Sequence, residues 1–194
     1  MIKLENLKTN FLGQDYKYFE SIDSTQMYAK KLDKQDEAKN GTVIISDMQT
    51  AGIGTHSRKW YTGKGDNLAF TFVLYPNKKI KNFDRFTYMI SETILETLQI
   101  LYGINLNIKI PNDIVYNNKK VGGILTESVS YDEVIKKIFV GIGLNVNQNE
   151  FPGNLSDIAT SLKIEFKDEF NREEILQNFL ELFEEKYLNF LNKN

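Results

Sequence analysis

Lys120 stands one residue ahead of two adjacent glycines, Gly122 and Gly123, in the run KKVGGILTE, residues 119–127. Asn117-Asn118 separates this run from Ile114-Val115-Tyr116, and asparagine tolerates the left-handed backbone that tight hairpin turns need. Residues 114–120 therefore read as a hairpin and 121–127 as its second strand, with Lys120 at the strand's mouth; residues 109–113, KIPND, read as closing the strand before it. Glycine weakens a strand and marks a close approach to the backbone. A ligand lying on Gly122 and Gly123 beside an ammonium group would supply the reason. A surface hairpin with a solvated Lys119-Lys120 pair and a bulge at the glycines accounts for the same residues.

A second stretch, residues 49–60 (QTAGIGTHSRKW), follows an apolar strand and holds Gln49, Gly52, Gly54, the only histidine (His56), Arg58, Lys59 and the only tryptophan (Trp60). Glycines two apart let backbone N–H groups line an anion site, Arg58 and Lys59 add charge, and Trp60 adds a flat apolar face. The pattern suits a nucleotide. A G-x-G loop alone is common in unrelated turns, and neither a P-loop Lys-Ser pair nor a dinucleotide fingerprint follows it.

Taken together and in this order, the two stretches resemble the catalytic domain of biotin protein ligases. That family carries G-R-G-R-x-G-R-x-W, K-W-P-N-D, K-x-G-G-I-L-x-E and G-I-G-x-N, matched here at residues 52–60, 109–113, 120–127 and 141–145. Asp23-Ser24-Thr25 matches an upstream D-S-T-N, with Gln26 in place of the asparagine. Five motifs in register are far more specific than any one, and the resemblance spans residues 16–190. It implies an α+β fold, a mixed, mainly antiparallel sheet with packed helices related to class II aminoacyl-tRNA synthetases and shared with lipoate ligases.

The chemistry that the resemblance implies is ligation. A carboxylate is a poor electrophile, so biotin first attacks the α-phosphate of ATP, giving biotinyl-5'-AMP and pyrophosphate; a lysine of a biotin carboxyl carrier protein domain then attacks the mixed anhydride. Positioned cations and Mg²⁺ offset the repulsion of the two anions and stabilise charge building on phosphorus. By resemblance, Lys120 and Arg58 serve that step, and Asp113 accepts or orients the proton of the incoming amine. Ser24, Thr25, Gln49, Gly52, Lys120, Gly122 and Gly123 would face biotin. Gly54, Thr55, His56, Arg58, Trp60, Asn112, Lys120 and Asn145 would face the nucleotide. No residue is assigned to a metal. Plainer roles stand beside these: Ser24 or Thr25 as a helix cap, and Asn112-Asp113 as a turn after Pro111.

The departures lie in the loop. Ile53 and Thr55 stand where the family has arginines, Ser57 where it has glycine, and Ile110 where it has tryptophan; His56 is a partial substitute for the lost charge. Two rivals remain: lipoate or octanoate transfer on the same fold, and a biotin- or nucleotide-binding module without activity.

The elements that must position these residues follow from pattern. Strands are expected at 15–22, 41–47, 67–75, 104–110 and 136–146, the third central because both its faces are apolar. Helices are expected at 26–32, from Asp84 until Gly103 stops it, at 158–163, and from Asn171 onward. Residues 62–66 (TGKGD) read as a turn.

The chain of 194 residues, 41% hydrophobic and 12% aromatic, is long enough for one well-filled domain over 1–194. Its 24 basic and 26 acidic residues give a formal charge of −2, which offers nucleic acid no basic field. The absence of cysteine excludes disulfides, thiolate metal sites and thiol catalysis, and a single histidine excludes a histidine metal cluster. The charged start MIKLENLKTNF is unlike a signal peptide and no apolar run of ~18 residues occurs, so a cytoplasmic protein without membrane contact is expected. The segment before the first strand is too short for a helix-turn-helix, so no DNA partner is expected. A monomer or weak homodimer is the implied state.

Overall fold

In the computed structural model, which describes residues 1–63 and 65–193, the described residues form one seven-stranded sheet in the order β1-β2-β3-β7-β6-β5-β4. The strands are β1 (Tyr16–Phe19), β2 (Val43–Ser46), β3 (Leu68–Leu74), β4 (Asn107–Lys109), β5 (Asp113–Tyr116), β6 (Lys119–Tyr131) and β7 (Val134–Leu144). β1 and β2 run parallel and the remaining neighbours antiparallel, so the expected mixed, mainly antiparallel sheet forms. β3 is buried at every position and lies inside the sheet.

The helices are α1 (Thr25–Lys34), α2 (Phe83–Tyr102), α3 (Leu155–Ile158), α4 (Leu162–Phe166) and α5 (Arg172–Lys193). Local chemistry sets their ends. Ser24 caps α1 by accepting from Met27 N–H, and Asn82 caps α2 by accepting from Arg85 N–H. Gly103 ends α2 in the left-handed region at φ 68°, where a side chain would be strained.

The two faces of the sheet do different jobs. On one, α2 and α5 pack together: Phe179 and Phe183 are buried against Phe70 and Phe72 of β3, and Phe86 is buried against Phe183. Each such ring contributes roughly 1.5–3 kcal/mol relative to exposure, so this face carries most of the hydrophobic stabilisation. On the other, α1 covers only the far end, setting Ala29 and Leu32 against Ile44, Val73 and Phe139. The rest of that face is free to carry glycines and polar groups.

The N-terminal segment is strapped to α5 by carboxylates. Glu173 accepts from Lys3 N–H, Glu181 from Lys8 N–H, and the buried Glu184 from the backbone of Asn10, Phe11 and Leu12. These bonds satisfy backbone donors that no strand pairs.

Several boundaries differ from expectation. Asp113 opens β5 rather than closing β4, because the turn at 110–112, with its cis Ile110–Pro111 peptide, intervenes. The single helix expected at 158–163 is two short helices, α3 and α4, around an extended break. Thr160 N–H bonds Lys120 O (2.9 Å), which holds the break against β6, and Ser161 then caps α4. β6 runs four residues beyond 127. Lys64, in the turn expected at 62–66, lies outside the described residues. No helix among the described residues is long and apolar enough to cross a membrane.

Candidate active site

Lys120 reaches the site through a break in strand register. β5 pairs Ile114 with Gly122 but Val115 with Lys120, so Val121 is an extra residue, a β-bulge. Alternation alone would put Lys120 and Gly123 on opposite faces. The bulge brings them together: a Cβ on Gly123 would lie 3.0 Å from Lys120 Nζ. Val121 and Gly122 both turn toward the helical core, where a Cβ on Gly122 would meet Leu144 at 3.0 Å. Of the two glycines expected at a ligand, the structure therefore brings one, Gly123, to the open face.

Asp113 pairs across from Gly123 and shares that face. Its Oδ1 lies 2.5 Å from Lys120 Nζ, with both side chains about a quarter to a third exposed. Asn117 and Asn118, at φ 48° and 64°, make the tight turn that sets this pair in place.

Gly123, Gly141 and Gly143 form a bare floor on three points of β6 and β7. What lies on much of it is the protein's own indole: a Cβ on Gly143 would be 2.3 Å from Trp60 Cε2, and one on Gly123 3.4 Å from Cζ3. Trp60 Nε1 is buried without a hydrogen-bond partner, and Lys120 Nζ sits 5.6 Å from the ring centroid.

Residues 52–60 fold into a small hairpin rather than an open anion nest. Gly54 N–H bonds Arg58 O (2.7 Å) and Trp60 N–H bonds Gly52 O (2.9 Å), so these backbone groups are spent. A Cβ on Gly52 would lie 2.5 Å from Trp60 O, which is why glycine stands there. At the tip His56 is exposed with φ 56°. Arg58 folds back on Thr55, its Nε donating to Thr55 O (3.2 Å) and its terminal nitrogen to Thr55 Oγ1 (3.0 Å). The loop is tied to the start of α1, since Thr50 N–H and Ala51 N–H donate to Ile22 O and Asp23 O.

Two cavities meet at Lys120 and Trp60. The smaller, about 40 Å³, has a polar end formed by Thr25, Gln26, Gln49 and Thr71 above Gly141. The larger, about 440 Å³, is lined by Thr55, Arg58, Asp113 and Asn145 among its polar residues and by Phe151, Leu155 and Ile158 among its apolar ones. A lining that combines apolar side chains with Arg58, Lys59 and Lys120 suits a nucleotide's base and phosphates.

The remaining expected residues are placed as follows. Gln49 Oε1 accepts from Thr25 N–H (2.8 Å) and Thr25 Oγ1 (3.1 Å). Ser24 is buried as the α1 cap and does not line either cavity; nor does His56. Asn112 spends its amide N–H on Ile124 O (2.8 Å), stitching the 110–112 turn to β6. Asn145 donates to Thr160 O (3.0 Å), which turns its Oδ1 away from that carbonyl as an acceptor. Gln26, Thr71, Gly141 and Gly143 were not assigned roles from sequence. The signal was present: Thr71 is the polar residue on the Ala69-Thr71-Val73 face, and glycines two apart in a strand share a face.

A family model described as the biotin/lipoate A/B protein ligase family matches residues 18–145. The bifunctional ligase/repressor BirA of Bacillus subtilis is 35% identical over 187 residues, covering 95% of this chain and 57% of that protein. The biotin--[acetyl-CoA-carboxylase] ligase of Paracoccus denitrificans is 32% identical over 126 residues, covering 64% of this chain and 51% of that protein. The chain thus spans little more than half the length of these relatives. Among solved structures, the Aquifex aeolicus biotin protein ligase in complex with biotin and ATP superposes with a TM-score of 0.80 at 32% identity, covering 93% of this chain and 73% of that one.

Proposed function

Because the chain belongs to the biotin/lipoate A/B protein ligase family, we propose that residues 1–194 form a single catalytic domain that activates biotin with ATP as biotinyl-5'-AMP and transfers it to a lysine of a biotin carboxyl carrier protein domain. One observation favours biotin over the family's other acyl substrates: the smaller cavity ends in the hydroxyls and amides of Thr25, Gln26, Gln49 and Thr71. A ureido ring brings N–H donors and a carbonyl acceptor to such an end. A dithiolane ring or an octanoyl chain brings none, and would make no use of the Gln49 Nε2 donor or of the second lone pair of Gln26 Oε1.

In this reading biotin lies along the glycine floor with its ring at the polar end and its carboxylate at Lys120, and ATP occupies the larger cavity. Lysine carries three N–H donors. One is held by Asp113, which leaves two for the biotin carboxylate and the α-phosphate at the moment they meet. Arg58, anchored on Thr55 at the cavity's rim, adds charge near the phosphates, and Asn145 Oδ1 offers the adenine amino group an acceptor. In the transfer step Asp113 orients or deprotonates the carrier amine. Mg²⁺ is expected to arrive as the ATP complex, in keeping with its habit of binding substrate phosphates.

The test is isotope exchange from pyrophosphate into ATP with biotin, lipoate and octanoate in parallel, followed by labelling of a carrier domain. Biotin alone should support exchange, and label should reach the carrier lysine. Exchange driven by lipoate or octanoate and not by biotin would overturn the reading.

A further inference from the structure

Gln26 stands where the related motif has asparagine, and its extra methylene carries the amide to a partner distant in sequence. Gln26 is 3% exposed. Its Nε2 donates to Glu127 Oε2 (2.7 Å) and toward Phe139 O (3.4 Å), while its Oε1 accepts from Thr71 Oγ1 (3.2 Å). A carboxylate and a backbone carbonyl only accept, so the amide cannot be turned over: the nitrogen must face them and the oxygen must face the cavity. Lys30 Nζ, 2.7 Å from Glu127, completes the anchor. Burial of Glu127 alone would raise its pKa, but the bonds from Lys30 and Gln26 outweigh this and hold the carboxyl below its ordinary value, which keeps it an acceptor at neutral pH.

The polarity of the cavity's end is therefore set. Oε1 of Gln26 lies 2.8 Å from where a Gly141 Cβ would be, over the bare strand. Gln49 is fixed in the opposite sense, its Oε1 engaged by the N–H and hydroxyl of Thr25, which leaves its Nε2 as a donor. Both residues line the same cavity, which therefore offers an acceptor and a donor, as the N–H and C=O of a cyclic urea require.

We infer that Gln26 is a specificity-determining residue whose Oε1 accepts a hydrogen bond from one ring N–H of the substrate's head group, and that Glu127, with Lys30, is the positioning residue that fixes its orientation. The inference rests on the biotin reading above and assigns that ring contact to this chain's departure from the family motif.

The test compares dissociation constants, by calorimetry, for biotin and for the two cyclic carbamates in which one or the other ureido N–H is replaced by oxygen. Wild type should bind one of the carbamates about 5- to 150-fold more weakly than biotin through loss of this bond, the range expected for leaving a buried acceptor unpaired. In Gln26→Met that discrimination should fall toward parity. In Glu127→Gln, whose amide can donate or accept and so releases the orientation, it should be intermediate, with a cooperative melt showing that the variant is folded. Wild type that binds biotin and both carbamates alike overturns the inference without any variant. So does undiminished discrimination in Gln26→Met or, should that protein fail to fold, in Glu127→Gln. Failure of wild type to bind biotin at all would instead fall on the functional reading, and the inference would fall with it.

Discussion

Lys120 Nζ and Asp113 Oδ1 lie 2.5 Å apart on the open face of the sheet, although strict alternation along β6 would have turned Lys120 toward the helices. The Val121 bulge makes the pair possible, and it couples the residue assigned to activation with the one assigned to transfer. Asp113→Asn keeps the size and turn propensity but removes the charge. Single-turnover transfer from preformed adenylate should slow by ~100-fold, within the range for loss of a general base, and adenylate formation should slow less. Equal slowing of both steps would show that Asp113 acts only through Lys120.

Trp60 is the sole tryptophan, so it reports on its own site. Its indole lies on Gly143 and Gly123, with Nε1 buried and unpaired. Biotin entering the 40 Å³ cavity should displace or re-pair the ring and change intrinsic fluorescence in proportion to occupancy. Gly143→Ala, whose Cβ would lie 2.3 Å from the indole, should shift the unliganded spectrum and weaken binding at least ~10-fold, in line with overpacking costs of about 1–3 kcal/mol. An unchanged spectrum in Gly143→Ala would place the indole elsewhere.

The account of stability against pH turns on Asp47, which joins the start of α5 to the end of β2. Arg172 donates to Asp47 Oδ1 at 2.8 Å, and the Tyr18 hydroxyl donates to Oδ2. Burial tends to raise the Asp47 pKa, but the bonds from Tyr18 and Arg172 prevail and hold it below its ordinary value; the same setting pushes the Tyr18 phenol up to about 12. A folded pKa below the unfolded one gives stability that is present above the unfolded value, near ~3.9, and lost as pH falls through the folded value. The melting temperature should therefore hold steady from neutral pH and fall below about pH 4. Arg172→Met should destabilise at pH 7 by at least ~1 kcal/mol, by stranding a largely buried carboxylate, and should flatten the acid limb. Thermal melts across pH read both effects.

Much of this was legible because it is local. Asn117-Asn118 announced the tight turn, Gly103 the helix stop, and the apolar faces of β3 its place inside the sheet. The matched motifs brought Lys120, Asp113, Arg58, Trp60 and Asn145 to one region. What sequence did not disclose depends on two chain segments at once. Periodicity cannot show a bulge, which exists only in the register between β5 and β6. The glycines read as room for a ligand are largely covered by Trp60, and Gly54 closes a hairpin instead of cradling an anion. The helix expected at 158–163 is broken at residues 159–161, which are drawn out by bonds to Lys120 and Gln148. The weight of Gln26 comes from its bond to Glu127, 101 residues away, which no local pattern carries.

The measurement that bears most directly on the central claim is biotin-dependent pyrophosphate exchange by Lys120→Ala beside wild type, with thermal melts to confirm that both are folded. Removing a preorganised cation from a developing anion costs about 10²–10³ in rate. The account predicts a loss of at least ~100-fold in exchange, within that range, at nearly unchanged melting temperature. Exchange near the wild-type rate would contradict it, and would remove Lys120 from the chemistry.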